Sequence, residues 1–372
     1  MTPARTFAQA LADDVLVLDG GLSNQLEAQG CDLSDALWSA RLLADAPEQI
    51  EAAHAAYVRA GAQVLITGSY QATYDGFARR GLGRDEAATL LTRSVTLARA
   101  AALHAGQGPA GREGAEGPQG PEGPEGPEGP QGGEGTGEGG VGEGEGPPGR
   151  GTRRKVWVAA SVGPYGAMLA DGSEYRGRYG LSVRELVAFH RPRVETLAAA
   201  GPDVLALETV PDADEAEALL RAVEGCGVPV WLSYTVAGGR TRAGQGLAEA
   251  FAVAAGNEQV VAVGVNCCEP AEAADAVAAA VAATGLPAVV YPNSGERWDA
   301  GARGWRGAPA YGPAAAPRFA AAWTSAGARL VGGCCRVGPD TIAALAERTP
   351  GPGHPGGPAR PTGPTGPAAP LG

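Results

Sequence analysis

Short apolar runs recur along the whole chain, at residues 15–21, 64–69, 156–163, 204–209, 228–235, 260–267, 288–293 and 330–335. They are nearly continuous rather than alternating, as strands of a parallel sheet buried on both faces should be. The stretches between them have helical spacing of apolar positions. They predict helices over about 47–60, 84–104, 182–200, 212–224, 247–255, 270–284, 313–325 and 339–346, with Gly61 stopping the first. Eight buried strands alternating with helices predict a (β/α)8 TIM-type barrel. Residues 164–179, rich in Gly, Tyr and charge, read as a loop.

Polar and reactive side chains gather where these runs end: Asp19, Ser69, Ser161, Glu208, Ser233, Cys267, Asn293, Cys334 and Cys335. A barrel of this kind collects its strand ends at the C-terminal face, so residues spread over the entire sequence are expected to meet in one pocket.

Two segments break the pattern. From 108 to 135 a glycine stands at every third position, with Pro and Glu between, as in collagen. We read residues 107–151 as a disordered Gly/Pro/Glu insert interrupting a barrel of residues 1–347, and 348–372 as a disordered Pro/Gly tail. Lying between a helix and the next strand, the insert should hang from the face opposite the pocket.

Net charge is −12, but residues 108–149 hold nine Glu against one Arg, so the rest of the chain carries only about −4. Without clustered Lys and Arg, nucleic-acid binding is not expected. No apolar run approaches the roughly 18 residues of a membrane span, and the first residues lack an apolar signal core. A cytoplasmic protein with no membrane partner is the expectation.

Six cysteines include two adjacent pairs, Cys267–Cys268 and Cys334–Cys335, beside Cys31 and Cys226. With no secretion signal, this usage favours metal ligation or thiol chemistry over a disulfide framework. If the ends of the sixth and eighth strands meet, three thiolates can hold a soft metal such as zinc with one position open. Such a site suits the binding and deprotonation of a substrate thiol. Cys268 is an alternative ligand to Cys267; Cys31 and Cys226 read as ordinary thiols. Adjacent side chains on a regular strand point to opposite faces, so Cys334 and Cys335 can share a metal only if the backbone turns there, which Gly332 and Gly333 would ease.

The motifs Asp-Gly-Gly at 19–21, Gly-Val-Asn-Cys at 264–267 and Gly-Gly-Cys-Cys at 332–335 resemble the homocysteine S-methyltransferase family. The blocks at 69–73, 160–166, 207–209 and 291–296 agree, and the likeness spans about residues 10–347 apart from the insert. The short bacterial type that uses S-methylmethionine is the most similar. The resemblance implies zinc on Cys267, Cys334 and Cys335, with homocysteine sulfur as an added ligand. It also implies that Asp19 and Glu208 hold the substrate ammonium, while amides around Gly20 and Gly21 take its carboxylate. Asn293 tunes the pocket, ligates zinc when substrate is absent, or stabilises a turn. Tyr70, Trp38 and Tyr165 are candidate aromatic faces for a sulfonium. The implied reaction is methyl transfer from S-methylmethionine, or from S-adenosylmethionine, to homocysteine, giving methionine. A zinc-dependent barrel hydrolase and a scaffold with a structural zinc and a collagen-like interaction segment are the alternatives.

Overall fold

The computed structural model describes residues 5–33, 39–104, 155–299 and 304–349. The collagen-like insert, Trp38 and the tail beyond residue 349 lie outside these residues. Eight parallel strands form a (β/α)8 barrel: β1 Leu16–Val17, β2 Val64–Ile66, β3 Trp157–Val162, β4 Val204–Val210, β5 Val230–Tyr234, β6 Val260–Asn266, β7 Ala288–Tyr291 and β8 Ala328–Val331. Each pairs with its sequence neighbours, and β1 also pairs with β8. A single bridge, Leu18 to Val64, closes β1 against β2.

Alternation along each strand sorts side chains into two layers. On β4, Val204 and Ala206 point into the barrel, while Leu205 and Leu207 join the outer core beneath the helices. On β3, Trp157 and Ala159 point in; on β7, Val289 and Tyr291 do. One further step of two on β4 and β3 reaches Glu208 and Ser161, which hydrogen-bond to each other. The barrel interior is therefore apolar at its N-terminal end and polar at its C-terminal end. The helix Phe7–Asp13 packs at the apolar end, with the Phe7 ring 5.5 Å from Trp157 and 6.3 Å from Trp231.

The outer helices have local causes. Ser182 and Glu185 form a capping box on Val183–Ala199, Asp212 caps Ala213–Val223, and Pro47 opens Pro47–Arg59. No helix among the described residues is long and apolar enough to cross a membrane.

Several expected boundaries change. The run 330–335 is not one strand: regular pairing covers Ala328–Val331 and stops before the cysteines. The run 15–21 pairs only over Leu16–Val17. Short helices not anticipated from the sequence occupy Leu22–Ala28, Ser39–Asp45 and Tyr74–Ala78, and the loop 164–179 contains Tyr165–Leu169 and a 3-10 turn at Ser173–Tyr175. At three to seven residues, these elements are too short to show helical periodicity.

Candidate active site and metal centre

Beyond Val331 the backbone still donates to its neighbours. Gly332 N–H bonds Val290 O at 3.0 Å, Gly333 N–H bonds Asp19 O at 3.2 Å, and Cys334 N–H bonds Pro292 O at 2.8 Å. The chain then turns: Val337 N–H returns to Cys334 O at 3.1 Å, and Arg336 adopts φ +65°. The turn frees Cys334 and Cys335 from the opposed directions that a strand would impose. Both glycines are required by space. A Cβ on Gly332 would sit 2.5 Å from the Leu18 Cβ, and one on Gly333 would collide with Val337. Asn293 closes the turn from β7, its Oδ1 accepting from Cys335 N–H at 3.1 Å.

Cys267 follows the last residue of β6 and has φ +48°, a left-handed conformation that costs a non-glycine residue about 1–2 kcal/mol. Its backbone is held on both sides: the N–H donates to Tyr291 O at 3.2 Å, and the carbonyl accepts from Thr235 Oγ1 at 3.1 Å. The Cys267 and Cys335 sulfurs lie 3.9 Å apart, and all three sulfurs, with Cys334, fall within 4.8 Å of one another. Tetrahedral zinc with bonds of about 2.3 Å places its thiolates about 3.8 Å apart, so the cluster fits that ion. The neighbouring Cys267 and Cys334 hold the Cys335 thiol well below its usual range, while Cys267, Cys335 and burial push Cys334 well above it. Three neighbouring thiolates need a cation to ionise together. Cys268 is not in the cluster; it is buried in the outer core, and burial pushes its thiol up. Cys31 and Cys226 pack partly buried against that same core.

Glu208, near the end of β4, accepts from Ser161 Oγ on one oxygen and from Tyr291 Oη at 2.9 Å on the other. Burial raises its pKa to about 7, against the lowering effect of these bonds. Thr209 beside it has φ +57°, and Asn266 braces it twice: Oδ1 accepts from Thr209 N–H at 2.7 Å, and Nδ2 donates to Thr209 Oγ1 at 2.7 Å. Asp19 accepts from Ile66 N–H at 2.9 Å on Oδ2, while Oδ1 is buried without a partner. Burial first, and then Glu208, push Asp19 well above the usual carboxylate range. Gly21 N–H is already donated to Val337 O at 2.9 Å. Gly20 permits the close approach: a Cβ there would strike Val337 O and stand 2.9 Å from the Tyr57 ring.

Across the barrel, the turn after β3 is held by buried ionisable groups. Arg193, 1% exposed, donates to Gly163 O and lies 2.7 Å from His190 Nδ1. His190 Nε2 is 3.0 Å from Glu215, which also accepts from Tyr165 N–H at 2.5 Å. Burial and then Arg193 hold His190 well below its usual range. Its ring is thus neutral, with Nδ1 accepting from Arg193 and Nε2 donating to Glu215. Gly163 leaves no room for a side chain, because a Cβ would come within 2.6 Å of the Tyr70 ring.

A cavity of about 120 Å³ opens on this assembly, lined by Gly20, Gly21, Tyr70, Glu208 and the three clustered cysteines. Asp19 and Asn293 lie outside the lining. Tyr165 does not reach the cavity; its ring packs against Tyr179 and Phe189 at 5.2 and 4.8 Å. The wall also contains Thr209, Tyr291, Glu174 and Tyr175, which the sequence reading did not single out. Stepping by two from Val289 would have turned Tyr291 inward. An acid in a mixed loop gives no such signal for Glu174.

Fold and site together define a (β/α)8 barrel that gathers three cysteines at one cavity. The family profile for Homocysteine S-methyltransferase matches residues 16–349. The homocysteine S-methyltransferase of Escherichia coli (strain K12) is 43% identical over 345 residues, covering 92% of this chain and 98% of that one. Homocysteine S-methyltransferase YbgG of Bacillus subtilis (strain 168) is 38% identical over 337 residues, covering 89% of this chain and 93% of its own. The crystal structure of the homocysteine methyltransferase MmuM from Escherichia coli, in its metallated form, matches with a TM-score of 0.69 at 40% identity, covering 90% of this chain and 96% of that one. The chain belongs to the homocysteine S-methyltransferase family and is a methyltransferase.

Proposed function

We propose that this enzyme transfers a methyl group from a sulfonium donor, S-methylmethionine or S-adenosylmethionine, to homocysteine, using zinc held by Cys267, Cys334 and Cys335. The observation that carries the reading is the three-thiol cluster facing a cavity that also exposes Glu208. A zinc bound there supplies the Lewis acidity that keeps an acceptor thiol ionised near pH 7. Glu208 and the unpartnered Asp19 Oδ1 suit the acceptor's ammonium, and orient its sulfur toward the cysteines. Asn293 Oδ1, accepting from the Cys335 backbone N–H, supports a turn-stabilising role.

In the transfer, the acceptor thiol has lost its proton before attack. Its sulfur displaces the donor's thioether at the methyl carbon: one C–S bond forms, the other breaks, and the leaving sulfur keeps the electron pair. A neutral thioether leaves, so no general acid is required, and holding three atoms in line supplies much of the rate. Opposite charges merge in this step, which a partly apolar cavity favours. The free cysteines fit a reducing compartment such as the cytoplasm. A hydrolase would instead need a nitrogen- or carboxylate-rich metal set, whereas the cluster found among the described residues is all thiol.

The test is metal analysis with methyl-transfer assays, donor by donor. Wild type should hold about one zinc per chain, and Cys334→Ala should lose the metal and about 10³-fold in rate. A wild-type protein without zinc, or a variant with an unchanged rate, refutes the proposal.

A further inference from the structure

The acids already assigned account for one positive charge, the acceptor's ammonium. A sulfonium donor brings another, and the cavity wall holds one more carboxylate, Glu174. Glu174 is 4% exposed, and its Oε2 has no hydrogen-bond partner. An ionised carboxylate left unpaired in a buried site costs several kcal/mol, so such a group is ordinarily neutralised by a cation or a proton. Among the described residues, no Lys, Arg or His lines the cavity to do so.

The segment bearing Glu174 is built to hold it there. Asp171 Oδ1 accepts from Ser173 N–H at 3.0 Å, and Gly172 takes a left-handed φ of +81°. Gly166 then admits the turn from below, since a Cβ at that position would stand 2.5 Å from Glu174 N and 2.7 Å from Tyr179 Oη. The next residue, Tyr175, also lines the cavity and is 36% exposed. Its ring is in cation range already, with the Arg242 guanidinium 5.4 Å from the centroid. A buried carboxylate beside a half-exposed aromatic ring is a recognition pair for a soft organic cation.

We propose that the Ser173–Tyr175 turn recognises the methyl donor, with Glu174 and the Tyr175 ring contacting its sulfonium-bearing end. This rests on the sulfonium-donor reading above. It assigns donor selection to the loop after β3 and acceptor selection to the ends of β1 and β4, so the two substrates answer to separate acids.

The experiment is steady-state kinetics of the full chain with S-methylmethionine and S-adenosylmethionine, varying each substrate in turn. Glu174→Gln should raise the donor KM about tenfold or more while leaving the homocysteine KM within about twofold. Zinc content should not change. Tyr175→Ala should raise the donor KM about fivefold. If Glu174→Gln does not fold, as judged by thermal unfolding, Glu174→Asp takes its place and should raise the donor KM by a smaller factor. An unchanged donor KM, or a rise confined to homocysteine, overturns this inference alone. A wild-type enzyme that methylates homocysteine from a quaternary ammonium and from neither sulfonium overturns the donor reading and this inference together.

Discussion

Where β1 meets β8, the cavity wall is shaped mainly by backbone. Gly333 donates to Asp19 O, Gly21 donates to Val337 O, and neither Gly20 nor Gly332 has space for a methyl group. Across the barrel, the turn after β3 is fixed by side chains: Arg193, His190 and Glu215, all buried, reach Gly163 O and Tyr165 N–H. The first wall brings two strand ends close enough for thiols to share an ion. The second adds side-chain anchors to an irregular loop whose Gly163 N–H also donates to Tyr70 O at 3.2 Å. Adding an atom should therefore damage the first wall most, and removing one should damage the second.

Arg193→Met tests the second wall and should have the largest effect on stability. It leaves Glu215 and His190 without their cation, and losing one partner of a buried charge set costs about 3–5 kcal/mol. Urea denaturation measures this loss. Zinc content per folded chain should stay near the wild-type value, since Arg193 touches none of the cysteines' partners named above. A loss below about 1 kcal/mol would show that the loop does not depend on this network.

Glu208 lies between the walls and gives a pH signature. Its folded carboxyl titrates at about 7 and its ordinary value is 4.5. Across that window the folded protein keeps a proton that the unfolded chain has lost, so stability is greatest below 4.5 and declines as pH rises through 7. The contribution is about 2–4 kcal/mol for the substrate-free enzyme. Glu208→Gln should flatten the fall in melting temperature over this range. An identical pH profile in the variant would mean that Glu208 does not hold the extra proton.

Gly20→Ala tests the first wall. Its methyl group meets the Val337 carbonyl and the Tyr57 ring, and overpacking of this kind costs roughly 1–3 kcal/mol. The stability change is the smallest of the three, but the homocysteine KM should rise about tenfold, because the turn beside Asp19 is displaced. An unchanged KM would separate this turn from acceptor binding.

Much of this design is legible in the order of residues. Near-continuous apolar runs require burial on both faces, and their alternation with helical stretches leaves a parallel barrel as the economical closed sheet. Gly-Gly before Cys-Cys announces a backbone that cannot remain a strand with both thiols useful. The candidate ligands Cys267, Cys334 and Cys335 were accordingly readable as a set. What local pattern could not reveal is which partner each polar group would meet. Nothing near Asn266 in sequence says that it braces Thr209, 57 residues away. Nothing near Arg193 points to Gly163 O.

The sequence by itself determined the fold class and the kind of chemistry, because burial periodicity and thiol spacing are local properties of the chain. Only the tertiary structure decided that Cys268 turns into the outer core while Cys267 joins the cluster, that Gly21's amide is already bonded, and that Glu174 reaches the cavity wall. The physical reason is common to all three. The direction of a side chain past the end of a strand depends on the hydrogen bonds its backbone makes with neighbouring loops, and those loops come together only when the barrel closes.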